Sequence, residues 1–388
     1  MSRPCRRHRR PFRLTLLLCA FSGVFSGALS ATLFVLPAAA QAPTAQSASP
    51  SYAELLGWKP GDRVAMFHID DVGMSHESNV GAIRSITEGV ATSLSVMMPC
   101  SWVPEFVAWL KEHPDTDAGL HLTLTSEWEH YRWGPLVGDA GPGLRDPHGY
   151  LWRNVPGVVA NASADEVETE IRAQVAKARA MGFEPTHLDS HMGTLFASPE
   201  FLERYIKVGI ETGIPIMIPG GHNSALRQQY LDDARERLER RGEWRGQELP
   251  EPPELARAPE VGKLVWSGGL PVLDDLHNTS YGWRPAEGEE TSDEALTRLK
   301  VERYTQAVRE LKPGVTMIIL HAADAGPAFD RISTSGATRR GDMLAMIAPE
   351  LRKVIEEEGI ILTTWRELKQ RRDAVDRLPA RQPAPGAR

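Results

Sequence analysis

The chain has 388 residues, of which 41% are apolar and 24% are charged, with 33 Gly and 29 Pro. This composition is typical of globular proteins and excludes wholesale disorder, collagen and coiled coil. The length allows one large domain or two ordinary ones. A net charge of −7 argues against a nucleic-acid-binding protein.

The first forty residues have the organisation of an export signal. Residues 1–13 hold six arginines and no acidic residue, 14–36 are almost entirely apolar or small, and a small-residue cleavage site ends at Ala40. A membrane anchor is the alternative, because the apolar stretch is long enough to span a bilayer. The pair Arg9-Arg10 resembles a twin-arginine signal, so both the Sec and the twin-arginine routes stay open. We expect a periplasmic or secreted protein that has no membrane contact after cleavage.

Cleavage after Ala40 would remove six arginines and no acidic residue, and would take the net charge from −7 to −13. Such an acidic protein is a poor electrostatic partner for nucleic acid or anionic lipid. Two of the three cysteines precede the cleavage site, so only Cys100 remains and an intrachain disulfide is impossible in the mature form. No pattern in the sequence indicates the oligomeric state.

Past the signal, segment 41–52 is rich in Ala, Ser, Pro and Gln, which predicts a flexible leader. Segment 371–388, rich in Arg, Pro and Ala, predicts a disordered tail. Between them, at 53–370, short apolar runs alternate with amphipathic patterns. The predicted strands are 64–69, 92–98, 118–124, 186–190, 214–218, 315–320 and 360–364. The predicted helices are 78–88, 103–111, 163–180, 199–211 and 342–358, and Ser163 with Glu166 forms a capping box at the start of the third.

This alternation predicts parallel β/α units in a single domain. The runs are apolar throughout, as expected for strands covered on both faces. About seven such strands fit a distorted β/α barrel, and a doubly wound open sheet is the alternative. Two stretches, 127–162 and 220–293, interrupt the alternation and are interpreted as long insertions beside a site.

Acidic and histidine side chains follow four of the predicted strands. The first ends in Asp70-Asp71, the third holds His121, the fourth reads His187-Leu188-Asp189-Ser190-His191, and a later one ends at His321. In a β/α barrel the carboxyl ends of the strands meet on one face, where the active site lies. One carboxylate, two histidines and an open coordination position are typical of a catalytic zinc site.

The spacing of the two histidines in the fourth group limits what they can bind. In an extended chain His187 and His191 would lie about 13 Å apart, so only a turn or helix would let both hold one ion. The simpler choice takes His191, just past the strand, as the ligand. His187 would then be a buried neighbour, and Asp189 would orient a ligand histidine through a hydrogen bond.

Several ordered motifs resemble the YdjC-like carbohydrate deacetylases, also called the chitooligosaccharide and hopanoid deacetylase family. Residues 68–75 (HIDDVGMS) stand in place of its Asp-Asp-Phe-Gly motif. Further motifs lie at 89–93 (GVATS), 119–125 (GLHLTLT) and 185–191 (PTHLDSH). The match covers roughly 62–369, with gaps at the two insertions.

The resemblance implies a divalent metal held by Asp71, His121 and His191, with Asp70 as general base and His321 as acid or oxyanion partner. This ligand set favours zinc, while magnesium or another divalent ion stays compatible. The implied reaction is metal-assisted hydrolysis of the acetyl amide of an N-acetylated sugar or oligosaccharide. Two alternatives remain open, namely a hydrolase for another ester or amide and a non-catalytic glycan-binding protein.

Overall fold

The structure is a computed structural model that describes residues 49–286 and 288–377. The predicted signal, 1–40, and its membrane-anchor alternative lie outside the described residues. Among the described helices, none combines the length and the apolar character that crossing a bilayer requires.

Parallel strands of the described residues form one sheet that is curled into a half-barrel, with helices around it. The strands are β1 (Arg63–Val72), β2 (Ser93–Val96), β3 (Ala118–Leu122), β4 (Leu188–Ser190), β5 (Asp275–His277), β6 (Gly314–Leu320) and β7 (Ile361–Leu362). Their order is β4-β3-β2-β1-β6-β5, and β7 pairs with the beginning of β1. The predicted β/α architecture is confirmed.

The helices predicted at 78–88, 103–111, 163–180 and 199–211 are present, and further helices lie inside the two stretches predicted as insertions. The described helices are α1 (Tyr52–Leu55), α2 (His76–Thr87), α3 (Val103–Glu112), α4 (Val155–Asn161), α5 (Ala164–Ala180), α6 (Pro199–Thr212), α7 (Ser224–Arg240), α8 (Pro253–Ser267), α9 (Asp293–Glu310), α10 (Gly336–Ile347), α11 (Pro349–Glu357) and α12 (Trp365–Arg377). The capping box of Ser163 and Glu166 at the start of α5 is present, so the sequence pattern located this helix end correctly.

Successive residues of a strand point to opposite faces, and β1 uses the two faces differently. Ala65, Phe67 and Ile69 join the large core between sheet and helices. Val64 and Met66 instead join a smaller core inside the curled sheet, which also contains Val315, Met317 and Ile319 of β6. The inner face of β1 therefore changes from apolar side chains at its amino end to His68 and Asp70 at its carboxyl end.

One predicted strand is wrong and one was missed. Segment 214–218 makes only a single bridge, from Ile216 to Leu188, because Pro215 and Pro219 lack the N–H groups that extend a ladder. The seventh strand is instead β5, which lies inside the segment predicted as the insertion 220–293. β5 escaped detection because only three residues of a polar-flanked stretch pair with β6.

Three boundaries also differ from the predictions. The helix predicted at 342–358 is two helices, α10 and α11, because Pro349 has no N–H and its ring clashes with the preceding turn. A short helix, α1, begins at Tyr52, the last residue of the predicted leader, and is capped by Ser51. The predicted tail is helical as far as Arg377, since α12 packs Trp365 and Leu368 into the inner core.

Candidate metal centre

The inner face of the curled sheet presents polar side chains at the carboxyl ends of four strands. Asp70 lies near the end of β1, His121 lies in β3, Asp189 lies in β4 and His321 directly follows β6. All four are at least partly buried. The predicted convergence of these distant sequence positions is therefore present in the fold.

Asp70 and Asp71 are neighbours in one strand, and a regular strand would point them to opposite faces. The register between β1 and β2 shifts between Ile69 and Val72, and Asp71 has a φ of 64°, in the left-handed region. This irregularity turns Asp71 toward the inner face beside Asp70. Both carboxylates consequently approach His121 Nε2, at 3.7 Å from Asp70 Oδ2 and 3.3 Å from Asp71 Oδ1.

Asp71, His121 and His191 form one compact cluster of potential metal ligands. Asp71 Oδ1 is 3.3 Å from His121 Nε2 and 3.3 Å from His191 Nδ1, and one donor atom from each residue lies within 4.8 Å of the others. Asp71 Oδ1 is buried and has no hydrogen-bond partner among the described residues. Neighbouring ligands of an ion bound at about 2.0–2.1 Å would be about 3.3 Å apart, so the three residues fit a divalent cation.

Arg339 stabilises the ionised form of Asp71 from the other side. Its Nη2 donates a hydrogen bond of 2.6 Å to Asp71 Oδ2, and both side chains are buried. Burial raises the pKa of Asp71, but the charge of Arg339 and the nearby imidazoles of His121 and His191 outweigh it and hold the pKa well below its usual range. Asp71 is therefore a carboxylate whose Oδ1 is available to a cation.

The two histidines of the cluster are oriented by further carboxylates. His121 Nδ1 donates to Asp189 Oδ1 at 2.6 Å, which points Nε2 toward Asp71. His191 Nε2 lies 3.2 Å from Glu127 Oε2, and this contact points the other ring nitrogen, Nδ1, toward Asp71 Oδ1. A carboxylate behind a ligand histidine is the usual way in which proteins fix the ring orientation at a metal site. Asp189 thus contacts the imidazole of His121 on the side away from Asp71.

The same carboxylates make both histidines more basic. Burial lowers the pKa of His191, but the charge of Glu127, its hydrogen bond and the nearby carboxylate of Asp71 outweigh it and raise the pKa to about 9. Burial also lowers the pKa of His121, while Asp70 and Asp189 raise it well above its usual range. A metal ion has to displace these protons, so metal binding at neutral pH should release protons to solvent.

Asp70 and His321 lie next to the cluster without joining it. His321 Nε2 is 3.9 Å from Asp70 Oδ2, and His321 Nδ1 is buried without a hydrogen-bond partner. Burial is the largest influence on His321 and lowers its pKa, with Asp71 raising it and Arg339 lowering it further. At neutral pH the His321 imidazole is therefore uncharged in the metal-free protein.

His187 occupies a different place from His191. Its ring is fully buried, stacks on Trp365 with a centroid separation of 5.2 Å, and forms a separate group with His68 and Asp189. Burial lowers its pKa. Because β4 is extended up to Ser190 and the chain turns only at His191, the two histidines do not face one point.

Two residues of this centre were missing from the sequence predictions. Glu127 was considered only as the first residue of an insertion, although it lies two residues after the motif 119–125 that carries His121. Arg339 lies on α10, 268 positions from Asp71, and no spacing or motif indicates their contact. Only the packing of α10 against α2 and α9 brings that guanidinium to the site.

Three comparisons place the chain among known proteins. Residues 64–357 match the family model described as YdjC-like protein. A carbohydrate deacetylase of Thermus thermophilus is 31% identical over 310 residues, which cover 80% of this chain and 95% of the relative. A carbohydrate deacetylase of Thermoanaerobacter pseudethanolicus is 22% identical over 309 residues, covering 77% of this chain and 97% of that protein.

A solved structure shares the fold. It is a protein of Enterococcus faecalis described as a cellobiose-phosphate cleavage protein, with a TM-score of 0.59 and 19% sequence identity. The match covers 79% of this chain and 99% of that chain. At this identity the likeness concerns the arrangement of strands and helices alone.

Proposed function

The chain belongs to the YdjC-like family, and from this premise we propose that it is an exported metal-dependent deacetylase acting on an N-acetylated sugar or oligosaccharide. The observation that carries the proposal is the cluster of Asp71, His121 and His191, in which a buried carboxylate oxygen has no hydrogen-bond partner. Such a cluster beside a further carboxylate, Asp70, fits metal-assisted hydrolysis.

The proposed chemistry divides among the side chains of the centre. A divalent ion held by Asp71, His121 and His191 would lower the pKa of a water molecule and polarise the acetyl carbonyl. Asp70 accepts the proton of the attacking water as general base. His321, beside Asp70, would donate an N–H to the developing oxyanion, and the proton that Asp70 has accepted from the water would then pass through His321 to the leaving amine.

Zinc is the ion that we propose first, because two imidazoles and one carboxylate are a common catalytic zinc set. Magnesium prefers oxygen ligands and keeps several waters, so it fits two histidines less well. Metal analysis of the protein purified without added metal would identify the ion that the cell supplies.

Export is proposed on the sequence alone, from the arginine-rich start, the apolar stretch and the small residues before Gln41. Production of the full chain in a bacterial host, followed by cell fractionation and N-terminal sequencing, tests it. We expect the mature chain to begin at Gln41 outside the cytoplasm. An intact N-terminus on a membrane-bound protein would favour the anchor instead.

The test of the activity is acetate release by the purified mature protein. N-acetylated mono- and oligosaccharides would be offered with and without a chelator, and added zinc should restore the activity that the chelator removes. Chelator-sensitive release from any of these sugars supports the proposal. Stoichiometric metal with no release from any of them would instead indicate a different acyl substrate, and absence of both metal and release would indicate a glycan-binding protein.

A further inference from the structure

His68 is a fully buried histidine that the proposed reaction does not use. It lies on the inner face of β1, two residues before Asp70, so both side chains point into the curled sheet. The neighbouring inner-face residues toward the amino end, Val64 and Met66, are apolar. A polar ring at this position is costly to bury and needs hydrogen-bond partners.

Those partners are the two carboxylates that flank the metal cluster. His68 Nε2 lies 2.9 Å from Asp189 Oδ2 and 3.2 Å from Asp70 Oδ1. Ser95 Oγ is a further neighbour of Nε2 at 3.1 Å, and Nδ1 lies 3.0 Å from Ser93 Oγ. Because ionised carboxylates only accept hydrogen bonds, Nε2 must carry a proton and donate it between them.

We infer that His68 is a positioning residue that joins the general base Asp70 to Asp189, the carboxylate that orients the metal ligand His121. The inference rests on the proposed function for the role of Asp70. Its part toward the metal rests only on the contacts of Asp189, which accepts from His68 through Oδ2 and from His121 through Oδ1.

The arrangement solves an electrostatic problem of the site. Asp70, Asp71 and Asp189 all approach His121, and like charges this close repel one another in a buried environment. Burial lowers the pKa of His68, but the hydrogen bonds and charges of Asp189 and Asp70 outweigh it and raise the pKa to about 9. The N–H that Nε2 places between Asp70 and Asp189 offsets part of this repulsion and fixes both carboxylates, and a neutral donor at the same place would do the same.

Little else holds these two oxygens. The nearest other donor to Asp70 Oδ1 is Ser95 Oγ at 3.5 Å, and His187 Nε2 lies 3.7 Å from Asp189 Oδ2. Without His68, Asp189 would lose its 2.9 Å hydrogen bond and Asp70 its 3.2 Å contact with Nε2, and both carboxylates would be free to reorient. Partners behind metal ligands typically change metal affinity by about 10- to 100-fold.

Two amide substitutions of His68 test the contacts of Nε2 and Nδ1 separately. In His68→Gln the side-chain amide reaches the position of Nε2 and keeps a donor for the carboxylates. In His68→Asn the amide reaches only the position of Nδ1, next to Ser93, and leaves Asp70 and Asp189 without that donor. Ser93→Ala is the matched control, because it removes a contact of the same ring on the Nδ1 side alone.

The experiment titrates zinc into metal-free wild type and the three variants by competition with a chromophoric chelator, after circular dichroism has confirmed folding. We expect His68→Asn to bind zinc about 10- to 100-fold more weakly, and His68→Gln and Ser93→Ala to stay close to wild type. In acetate release, kcat should fall in His68→Asn with KM little changed, since the acetylated sugar does not contact a buried ring.

Wild-type zinc affinity in folded His68→Asn would overturn the inference, and so would equal losses in the Asn and Gln variants. If His68→Asn does not fold, the Gln variant decides, because its affinity must then lie near that of Ser93→Ala. Failure of the wild type to deacetylate any sugar would contradict the proposed function, while the zinc titration would still decide the role of His68 toward the metal.

Discussion

Buried carboxylates occur at both ends of the curled sheet, and their hydrogen-bond partners differ. At the amino end, Asp274 accepts from the backbone N–H groups of Tyr52, Ala53 and Val315, and Asp117 accepts from those of Trp365 and Arg366. At the carboxyl end, the carboxylates face histidines, and one oxygen has no hydrogen-bond partner at all.

The difference separates residues that hold the fold from residues that hold a ligand. Asp274 directly precedes β5 and caps the start of α1, while Asp117 directly precedes β3 and caps the start of α12. Each carboxylate oxygen of Asp274 and Asp117 accepts at least one backbone N–H, so neither side chain has an oxygen left for a metal ion. Asp71, equally buried, keeps Oδ1 free between two imidazoles. Burial of a carboxylate alone therefore does not indicate a ligand site. A buried carboxylate oxygen without a hydrogen-bond partner does.

Removal of a ligand at the carboxyl end should have the largest effect. We expect Asp71→Ala, His121→Ala and His191→Ala each to abolish stoichiometric metal binding, because each supplies one of three converging donor atoms. Metal analysis of the purified variants by mass spectrometry measures this, and Asp117→Ala is the control from the other end. Full occupancy in the His191 variant would contradict the ligand assignment.

Asp70→Asn should retain the metal and lose turnover. The amide occupies the same space but is not a base, and positioned general bases contribute about 10²- to 10⁴-fold to rate. We expect kcat for acetate release to fall by about that factor at unchanged metal content. A variant that loses metal as well would show that Asp70 is a ligand rather than the base.

At the amino end the expected loss is one of stability. Asp274→Ala leaves three backbone N–H groups without their acceptor, which should lower the free energy of unfolding by about 3 kcal/mol. Asp274→Asn, which keeps one acceptor oxygen, should lose less. Urea unfolding of metal-free protein measures both, and metal content should not change. Loss of metal binding in a folded Asp274 variant would mean that the two ends of the sheet are coupled.

His187→Ala should have the smallest effect on the metal centre although the residue lies close to it in sequence. The ring fills the space between Gly119, where a Cβ would lie 2.3 Å from it, and Trp365. We therefore expect metal to be retained and the free energy of unfolding to fall by about 2 kcal/mol, as for a truncated core residue. Metal loss in this variant would instead support the alternative in which His187 and His191 bind one ion together.

Much of the fold was predictable because local patterns and tertiary packing agree in most elements. The apolar run of β1 and the capping box of α5 each identify their element from local sequence, without reference to the elements that pack against it. The strand predicted at 214–218 was wrong because Pro215 and Pro219 interrupt the hydrogen-bond ladder that its apolar residues would otherwise form. β5 was missed because three residues carry too little pattern, and its place is set by pairing with β6.

The sequence by itself determined the alternation of strands and helices, the strand ends that carry Asp and His, and the motifs that mark the family. These features are local, since they depend on the periodicity of apolar side chains and on residues that are near one another in the chain. Tertiary structure alone decided how the carboxylates are used. The irregularity at Asp71, the approach of Arg339 from α10 and the linkage of Asp70 to Asp189 through His68 join residues up to 268 positions apart. No local pattern encodes such contacts, because they arise only when the sheet curls and its helices pack against it.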